Sequence, residues 1–449
     1  MYLICIMSEL IVPHNQQQIA VDALRRCYKD RHAISACGEG GNFSQGVWLR
    51  DAVWGALGAL AAGEETDVQK AKQVLELFLP YSPDIPFRIM PYCQALYLIN
   101  LRIKNPSSDG EQKVPRTKRL LNRGSFRGEP TEVADSFLIL MLAGNYLSSV
   151  NVSIEEKKDF WSNHQNHIKD FLNAPNKQFL FNNPDPRSVL IYEGPLGSRQ
   201  DAILKSGYVF LTNVLWYKTL VDLAAGIGQV GENRTVNNLE EHAKQLIGTL
   251  NNLFWNEEKG HYIDWLTKEG EKFDYFDSLA NFWAVAAGVA DPEQMKYILD
   301  FVTTKENLIN KSSGLVASVD RPYAPNLIDR GMRLARFPGY YNGGDLGVFW
   351  PETTIMYAAA LKADGRDHEA GIKLSTIENY LLRNRTLYEA YDGSGDPLDR
   401  RIAYGIHRYR SPSDFAMALG NYLWVKANWD RLQHFQPGKT VTRNLSFRP

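Results

Sequence analysis

The chain has 449 residues, of which 44% are hydrophobic and 22% are charged. This length allows one large domain or two to three ordinary ones, and the composition excludes an intrinsically disordered chain. The formal net charge of −1 excludes a broad electrostatic field that would steer the chain to nucleic acid or to an anionic membrane.

Residues 1–12 are apolar but include Glu9, and they lack the basic leader and the small-residue cleavage site of a signal peptide. No stretch reaches the roughly 20 uncharged apolar residues that a membrane span requires. The cysteines form no CxxC pair and have no histidine at metal-ligand spacing. They are Cys5, Cys27, Cys37 and Cys93. The sequence therefore predicts a reduced, cytoplasmic protein without a disulfide framework, a metal or another cofactor.

Helical periodicity dominates the chain, because apolar residues recur at three- and four-residue steps in twelve segments. In chain order these are 47–62, 69–79, 92–103, 131–147, 154–172, 206–225, 238–254, 276–289, 292–302, 351–361, 368–382 and 413–427. Asp291 before Pro292, and the run Ser411 to Asp414, supply capping chemistry at two helix starts. Short strands are predicted only near 179–181 and 262–265, as hairpins within loops.

About a dozen helices separated by irregular loops predict an all-α fold, the (α/α)6 toroid of helix hairpins. Each hairpin can bury its apolar stripe only against neighbouring hairpins, so all stripes are buried when the array closes into a ring. The loops at one end of the ring would then surround a central pocket. A solenoid is disfavoured because no fixed sequence repeat occurs. The polar stretch 104–129 predicts an exposed, mobile loop, and no convincing linker divides the single domain 1–449.

Four stretches combine acids, aromatics and glycines at predicted helix ends. In 41–54, Trp48 and Arg50 adjoin Asp51, whose carboxylate would stay ionised near helix amides and accept hydrogen bonds from sugar hydroxyls. A helix-end charge without a ligand explains this stretch equally well. In 128–137, Asp135 leads an apolar helix and could point into the pocket, although a solvated capping acid is somewhat favoured.

The third stretch, 197–217, places Asp201 just before a strongly aromatic helix that contains Trp216. A carboxyl group against aromatic walls is poorly solvated, which raises its pKa as a general acid at neutral pH requires. The alternative for Asp201 is a surface loop position.

The fourth stretch runs from Tyr340 to Thr353 and is followed, some residues on, by residues 386–393. Here Glu389 lies between two tyrosines and before Asp-Gly, an unusual environment for a glutamate. Glu352 competes with it, but its place at a Trp-Pro helix start also suits capping. The aromatic content of 12% favours sugar stacking, although core packing is the more frequent role of any one ring.

These motifs resemble the (α/α)6-barrel glycosidases that include the amylo-α-1,6-glucosidase domain of glycogen debranching enzymes, processing α-glucosidases and alkaline invertases. The resemblance runs from about residue 40 to residue 425. It rests on five segments in the same order. They are WLRDAVW, EVADSFLIL, SGYVFLTNVLWYKTLVDLA, YYNGGDLGVFWPETTIMYAAAL and LYEAYDG.

The resemblance implies an inverting hydrolase with Asp201 as general acid and Glu389 as general base, acting from the end of an α-glucoside or a related small glycoside. Arg50 and Asp51 would hold the sugar in the innermost subsite. The other implied sugar-binding residues are Trp48, Asp135, Trp216, Tyr341, Asn342, Trp350 and Glu352. The chain departs from this family in two places. The loop between Asp201 and Asn213 is shorter than in debranching domains, and the fourth stretch has an extra Gly-Asp-Leu-Gly. These differences leave the identity of the substrate open.

Several alternatives stay open. The arginines at 330, 333, 336, 408 and 410 suggest an anionic aglycone, as in glucosylglycerate or mannosylglycerate, although solvated surface arginines are favoured. A toroidal sugar epimerase would use His261 and His407, which more readily fit loop or packing roles. A carbohydrate-binding pseudoenzyme is the third possibility. A phosphorylase is disfavoured, since phosphate would replace the water that Glu389 activates.

Overall fold

The computed structural model describes residues 15–29, 33–38, 49–79, 137–178, 189–193, 203–328, 347–402 and 407–434, and the fold is given for these residues. They form twelve α-helices. The helices are α1 Gln16–Arg25, α2 Leu49–Ala62, α3 Glu65–Phe78, α4 Leu138–Ser148, α5 Ile154–Gln178, α6 Phe210–Gly228, α7 Asn233–Phe254, α8 Ser278–Ala286, α9 Pro292–Thr304, α10 Pro351–Ala363, α11 Asp367–Asn384 and α12 Ala416–Asn428.

The described strands are short and lie between helices. They are β1 Tyr28–Lys29, β2 Ala33–Ile34, β3 Tyr208–Val209, β4 Trp255–Asn256, β5 His261–Tyr262, β6 Trp265–Leu266, β7 Lys272–Phe273, β8 Asp399–Ile402 and β9 His407–Arg410. Antiparallel pairs join β1 to β2, β4 to β5 and β8 to β9, and a three-stranded sheet has the order β3-β6-β7.

The even-numbered helices form a closed inner ring. Around it, α2 packs against α4, α4 against α6, α6 against α8, α8 against α10, α10 against α12, and α12 packs again against α2. Each odd-numbered helix from α3 to α11 packs against the inner helix that precedes it, and α1 packs against α12 and α2. The predicted all-α (α/α)6 toroid is therefore confirmed.

Burial follows from this arrangement. Every residue of α4, α8 and α10 is buried, as expected for helices surrounded on all sides. The outer helix α7 instead buries only one stripe, at three- and four-residue steps. That stripe is Leu239, Ala243, Leu246, Leu250 and Phe254. One continuous apolar cluster includes residues of all twelve described helices, while the absence of a second domain stays a prediction.

Glycines allow the inner helices to approach closely. A Cβ atom on Gly420 of α12 would lie 2.0 Å from the carbonyl oxygen of Trp54 in α2, and one on Gly58 would lie 2.7 Å from the Cα of Gly420. Between α4 and α6, a Cβ on Gly144 would lie 2.5 Å from the carbonyl carbon of Asp222. Any side chain at these positions would therefore push backbones apart.

The connections differ at the two ends of the ring. An inner helix passes to its outer partner through a short connection, from residues 63–64 up to residues 149–153. The outer helices therefore return antiparallel, and the inner helices all run in one direction. Much longer segments, such as 305–350, lead from an outer helix to the next inner helix. These segments lead to the starts of the inner helices, and we call that end of the ring the loop end.

Most described helices match the predicted segments, with local differences. Asp291 accepts hydrogen bonds from the backbone of Glu293 and Gln294 and completes a capping box, so the predicted start of α9 is confirmed. The predicted cap of α12 is wrong, because Phe415 is the N-cap residue and no side chain caps it. Ser411 instead accepts a hydrogen bond from the Ala390 backbone at 2.8 Å.

Two further differences concern elements that begin or pair unexpectedly. The predicted helix 206–225 starts only at residue 210, because Tyr208 and Val209 pair as a strand with Leu266 and Trp265. Helix α1 was not predicted. The predicted elements 92–103 and 179–181 and the loop 104–129 lie outside the described residues. Among the described helices, none is both long and apolar enough to cross a membrane.

Candidate active site

Tryptophans close the axis of the inner ring below the loop end. The ring centroids of Trp54 in α2 and Trp283 in α8 are 5.4 Å apart, and those of Trp283 and Trp424 in α12 are also 5.4 Å apart. Since α2 and α8 lie opposite each other, this contact crosses the axis. Lys218 of α6 makes a second crossing, with its Nζ 5.4 Å from the centroid of Trp424. A pocket at the loop end would therefore have these side chains as its floor.

Buried polar side chains occupy the first turns of the inner helices at the loop end. Asp51 is 8% exposed at the start of α2, and Glu352 is fully buried in the first turn of α10. Asn213 is also fully buried in the first turn of α6, where its amide oxygen accepts a hydrogen bond from the Ile191 backbone at 2.7 Å. Acids at these positions face the positive ends of helix dipoles.

Glu389 lies in the segment between α11 and α12 and is 8% exposed. Its backbone N–H donates to the carbonyl oxygen of Pro412 at 3.1 Å, and the next residue is held by Ser411. The hydroxyl of Tyr409, on β9, donates a hydrogen bond to Oε2 of Glu389. Hydrogen bonds therefore hold Glu389 at both its backbone and its carboxylate.

Trp350 adjoins this segment. Phe349 and Tyr391 exchange two backbone hydrogen bonds of 2.8 Å each, which pairs the entry to α10 with the chain just after Glu389. Trp350 packs in a small cluster of buried side chains between these elements. The cluster contains Val348, Trp350, Ala390, Leu398 and Tyr409. The structure therefore brings together Glu389 and Trp350, with Glu352 two residues further on.

Three predicted residues lie on the inner helices α2 and α6. Asp51 and Arg50 begin α2, with Arg50 partly exposed. Trp216 of α6 is 3% exposed and packs edge-on against Phe137, with ring centroids 5.5 Å apart. Their sugar-binding roles stay predictions.

The remaining predicted site residues lie outside the described residues. They are Trp48, Asp135, Asp201, Tyr341 and Asn342. The general-acid role of Asp201 therefore stays a prediction. Among the arginines of the anionic-aglycone alternative, the Arg410 side chain is 70% exposed and lies 3.6 Å from Asp399.

A buried charged network, which the sequence analysis did not anticipate, lies between the entry to α6 and the start of α8. Lys205 Nζ donates to Asp264 at 2.7 Å and lies 3.4 Å from Asp277, and the hydroxyl of Tyr323 donates to Asp264 at 2.8 Å. All four residues are at most 3% exposed. Burial raises the pKa of Asp264 to about 6, aided by the nearby charge of Asp277 and opposed by Lys205.

This Lys205 network anchors the chain that directly follows Asp201. The backbone N–H of Leu204 donates to the carbonyl oxygen of Leu327 at 2.7 Å, and Ile203 pairs with Ile328. Asp277 also caps α8, since its Oδ1 accepts from the Ala280 backbone at 3.0 Å. One inner helix start and the entry to another are thereby tied together.

Glu193 is a second buried acid that the sequence analysis missed. It is fully buried, and its Oε1 accepts a hydrogen bond from Thr212 in the first turn of α6. Its backbone exchanges hydrogen bonds with Gly207 at 2.7 and 3.0 Å. No periodic pattern marks this residue, because its partners, Thr212 and Gly207, come later in the chain and reach it only in the folded protein.

His261 has a packing role. It is 1% exposed, and its ring contacts Phe276 and Phe301 at centroid distances of 5.4 and 4.9 Å. Burial lowers its pKa, so the neutral imidazole is favoured. The packing interpretation of His261 is confirmed, and the His407 side chain lies outside the described residues.

Comparison with known proteins gives a local sequence match. Residues 210–322 match the family model described as Trehalase. The cytosolic neutral trehalase of Kluyveromyces lactis is 31% identical over 135 residues, which cover 28% of this chain and 17% of that protein. Its counterpart in Saccharomyces cerevisiae is 27% identical over 136 residues, 28% of this chain and 18% of that protein. The matched region therefore spans less than a fifth of either relative.

Solved structures resemble nearly the whole chain at low identity. A GH63 mannosylglycerate hydrolase from Thermus thermophilus, in complex with Tris and D-glycerate, has a TM-score of 0.59 at 15% identity, over 92% of this chain and 100% of that chain. A glycosidase E335A variant in complex with glucose has a TM-score of 0.56 at 13% identity, over 94% and 98%. These similarities show the fold.

Proposed function

We propose that this chain is an inverting glycoside hydrolase with Glu389 as its general base. The observation that carries the proposal is the place of Glu389, a buried carboxylate bound by Tyr409 beside Trp350, at the loop end of a closed helix ring. The local match to trehalases and the glycosidase folds of the similar structures support it.

The proposed reaction is a single displacement. Glu389 takes a proton from a water molecule as that water attacks the anomeric carbon, and Asp201 donates its proton to the departing glycosidic oxygen. In such enzymes the two carboxyl groups lie about 6.5–9.5 Å apart, which leaves room for the water. The bond to the aglycone breaks as the bond to water forms, and the anomeric configuration inverts.

The substrate we propose is a disaccharide-sized α-glycoside, with trehalose as the first candidate. The closed floor formed by the three tryptophans favours a short substrate over a polymer that threads through the ring. The trehalase match favours the particular linkage. A glycoside of glycerate is the second candidate, because the mannosylglycerate hydrolase resembles this chain over almost its whole length.

The test is a hydrolysis screen of trehalose, maltose, isomaltose, glucosylglycerate and mannosylglycerate, with proton NMR of the first-formed sugar. We expect cleavage of one of these with inverted anomeric configuration. Retention would rule out the single displacement. Isomerisation of a reducing sugar without bond cleavage would favour an epimerase, and calorimetric binding without turnover would favour a pseudoenzyme.

A further inference from the structure

Tyr409 is built into the wall next to Glu389. It lies on β9 opposite Arg400 of β8 and is 8% exposed. Its ring packs with the Trp350 cluster defined above, so the aromatic body is fixed independently of the hydroxyl. The hydroxyl points to Oε2 of Glu389, a residue twenty positions earlier in the chain.

The direction of this hydrogen bond follows from chemistry. An ionised carboxylate only accepts hydrogen bonds, so the tyrosine hydroxyl must donate. Hydrogen bonds to a charged acceptor are roughly twice as strong as neutral ones. A glutamate side chain has three rotatable bonds, and a fixed donor at Oε2 restricts all three. The carboxylate keeps further lone pairs that can accept the proton from water.

We propose that Tyr409 is a positioning residue, which aims the Glu389 carboxylate at the attacking water during the reaction proposed above. The inference rests on that proposed function, because it assigns Tyr409 a role only if Glu389 acts as the base. The backbone at Glu389 is held separately by Pro412, and that of Ala390 by Ser411. Removing the hydroxyl therefore removes one restraint on the carboxylate, while these backbone hydrogen bonds remain.

The main test is a double-mutant cycle with Tyr409→Phe and Glu389→Gln, each measured for kcat, KM and melting temperature. We expect Tyr409→Phe to lower kcat about 10- to 100-fold with little change in KM, the scale of one lost hydrogen bond to a charged group. In the Glu389→Gln background the same change should cost nothing further, because the hydroxyl acts only through the carboxylate.

The chain offers a matched control. Tyr422 of α12 is also buried, and its hydroxyl donates to Glu378 of the outer helix α11 at 3.1 Å. Tyr422→Phe removes the same kind of bond on the outside of the ring, so we expect kcat to stay unchanged. Insertion of 4-aminophenylalanine at position 409, which restores a donor of nearly the same size, should recover most of the lost kcat.

The outcomes separate this inference from the proposed function. Equal losses from Tyr409→Phe in both backgrounds would show a purely structural role and overturn the inference. Full activity of Glu389→Gln would instead remove the base from the proposed function. If Tyr409→Phe has a lower melting temperature, two variants with similar rings at position 409 are compared instead. 4-Fluorophenylalanine lacks a hydrogen-bond donor and 4-aminophenylalanine has one. Equal kcat values for these two variants would also overturn the inference.

Discussion

At the end of the ring away from the active site, inner helices turn into outer helices within a few residues, and left-handed glycines such as Gly63 and Gly365 make the turns. At the loop end, long segments return the chain, and buried charges such as Lys205 and Glu389 hold them in place. The structure of the end with short turns is determined by residues that are close in sequence. The loop end depends on contacts between distant residues, and it holds the candidate active site.

The largest effect is expected from the acids of the loop end. Glu389→Gln and Asp201→Asn should each lower turnover by about 10²–10⁴-fold, the scale of acid–base catalysis, with an unchanged melting temperature. Steady-state kinetics on the substrate found in the screen measures this. Glu378→Gln, on the outer surface of the ring, is the control and should keep full turnover. Unchanged turnover in either acid variant would remove that residue from its role.

The second effect concerns the stability of the loop end. Lys205→Met should lower the free energy of unfolding by about 3–5 kcal/mol, because Asp264 and Asp277 would remain buried without a cation. Lys426 pairs with Glu378 on the outer surface, where its side chain is 32% exposed, against 2% for Lys205. Lys426→Met should therefore cost at most about 1 kcal/mol in urea unfolding. Equal losses for the two lysines would contradict the comparison.

The same network predicts a pH dependence. Burial raises the pKa of Asp264 from its ordinary value of 3.8 to about 6, so the folded state favours the protonated acid. Its contribution to stability is present below pH 3.8 and is lost as the pH rises through about 6, by at most about 3 kcal/mol. Relative to Asp264→Asn, the wild type should gain melting temperature as the pH falls from 7 to 4. A constant difference between the two would refute this.

The smallest effects are expected away from the loop end. Gly365 has φ +80° in the connection after α10, with open space around it, so Gly365→Ala should cost about 1 kcal/mol through the left-handed backbone alone. Gly248 lies within the outer helix α7, also in open space, and Gly248→Ala should gain about 0.5–1 kcal/mol. Chemical denaturation measures both, and neither change should alter turnover.

The helix ring was predictable because its inner helices are apolar on all sides and its outer helices carry one stripe. The start of α9 was predictable because Asp291 and Pro292 act within one turn. Glu389 could be proposed from the sequence because its tyrosine neighbours and the family motif lie beside it, and its role stays a prediction. Its partner Tyr409 was not, since a hairpin fold brings that residue to it.

The Lys205 network left no sequence signal for the same reason. The two carboxylates beside Lys205, Asp264 and Asp277, lie 59 and 72 positions further along the chain, and each alone is compatible with a surface loop. The strand β3 was read as helix because its partner strand, Trp265–Leu266, forms only in the folded chain. Hydrophobic periodicity predicts which face of a segment packs against the core. It does not predict which residue from a distant part of the chain that face contacts.

The tryptophan floor bears on how a cleaved glycoside would be released. In the proposed hydrolysis, with the contacts among Trp54, Trp283 and Trp424 crossing the axis, both fragments would leave at the loop end. The innermost sugar would then be the last to leave. That sugar alone should then compete with incoming substrate, so turnover is expected to slow as the released monosaccharide accumulates.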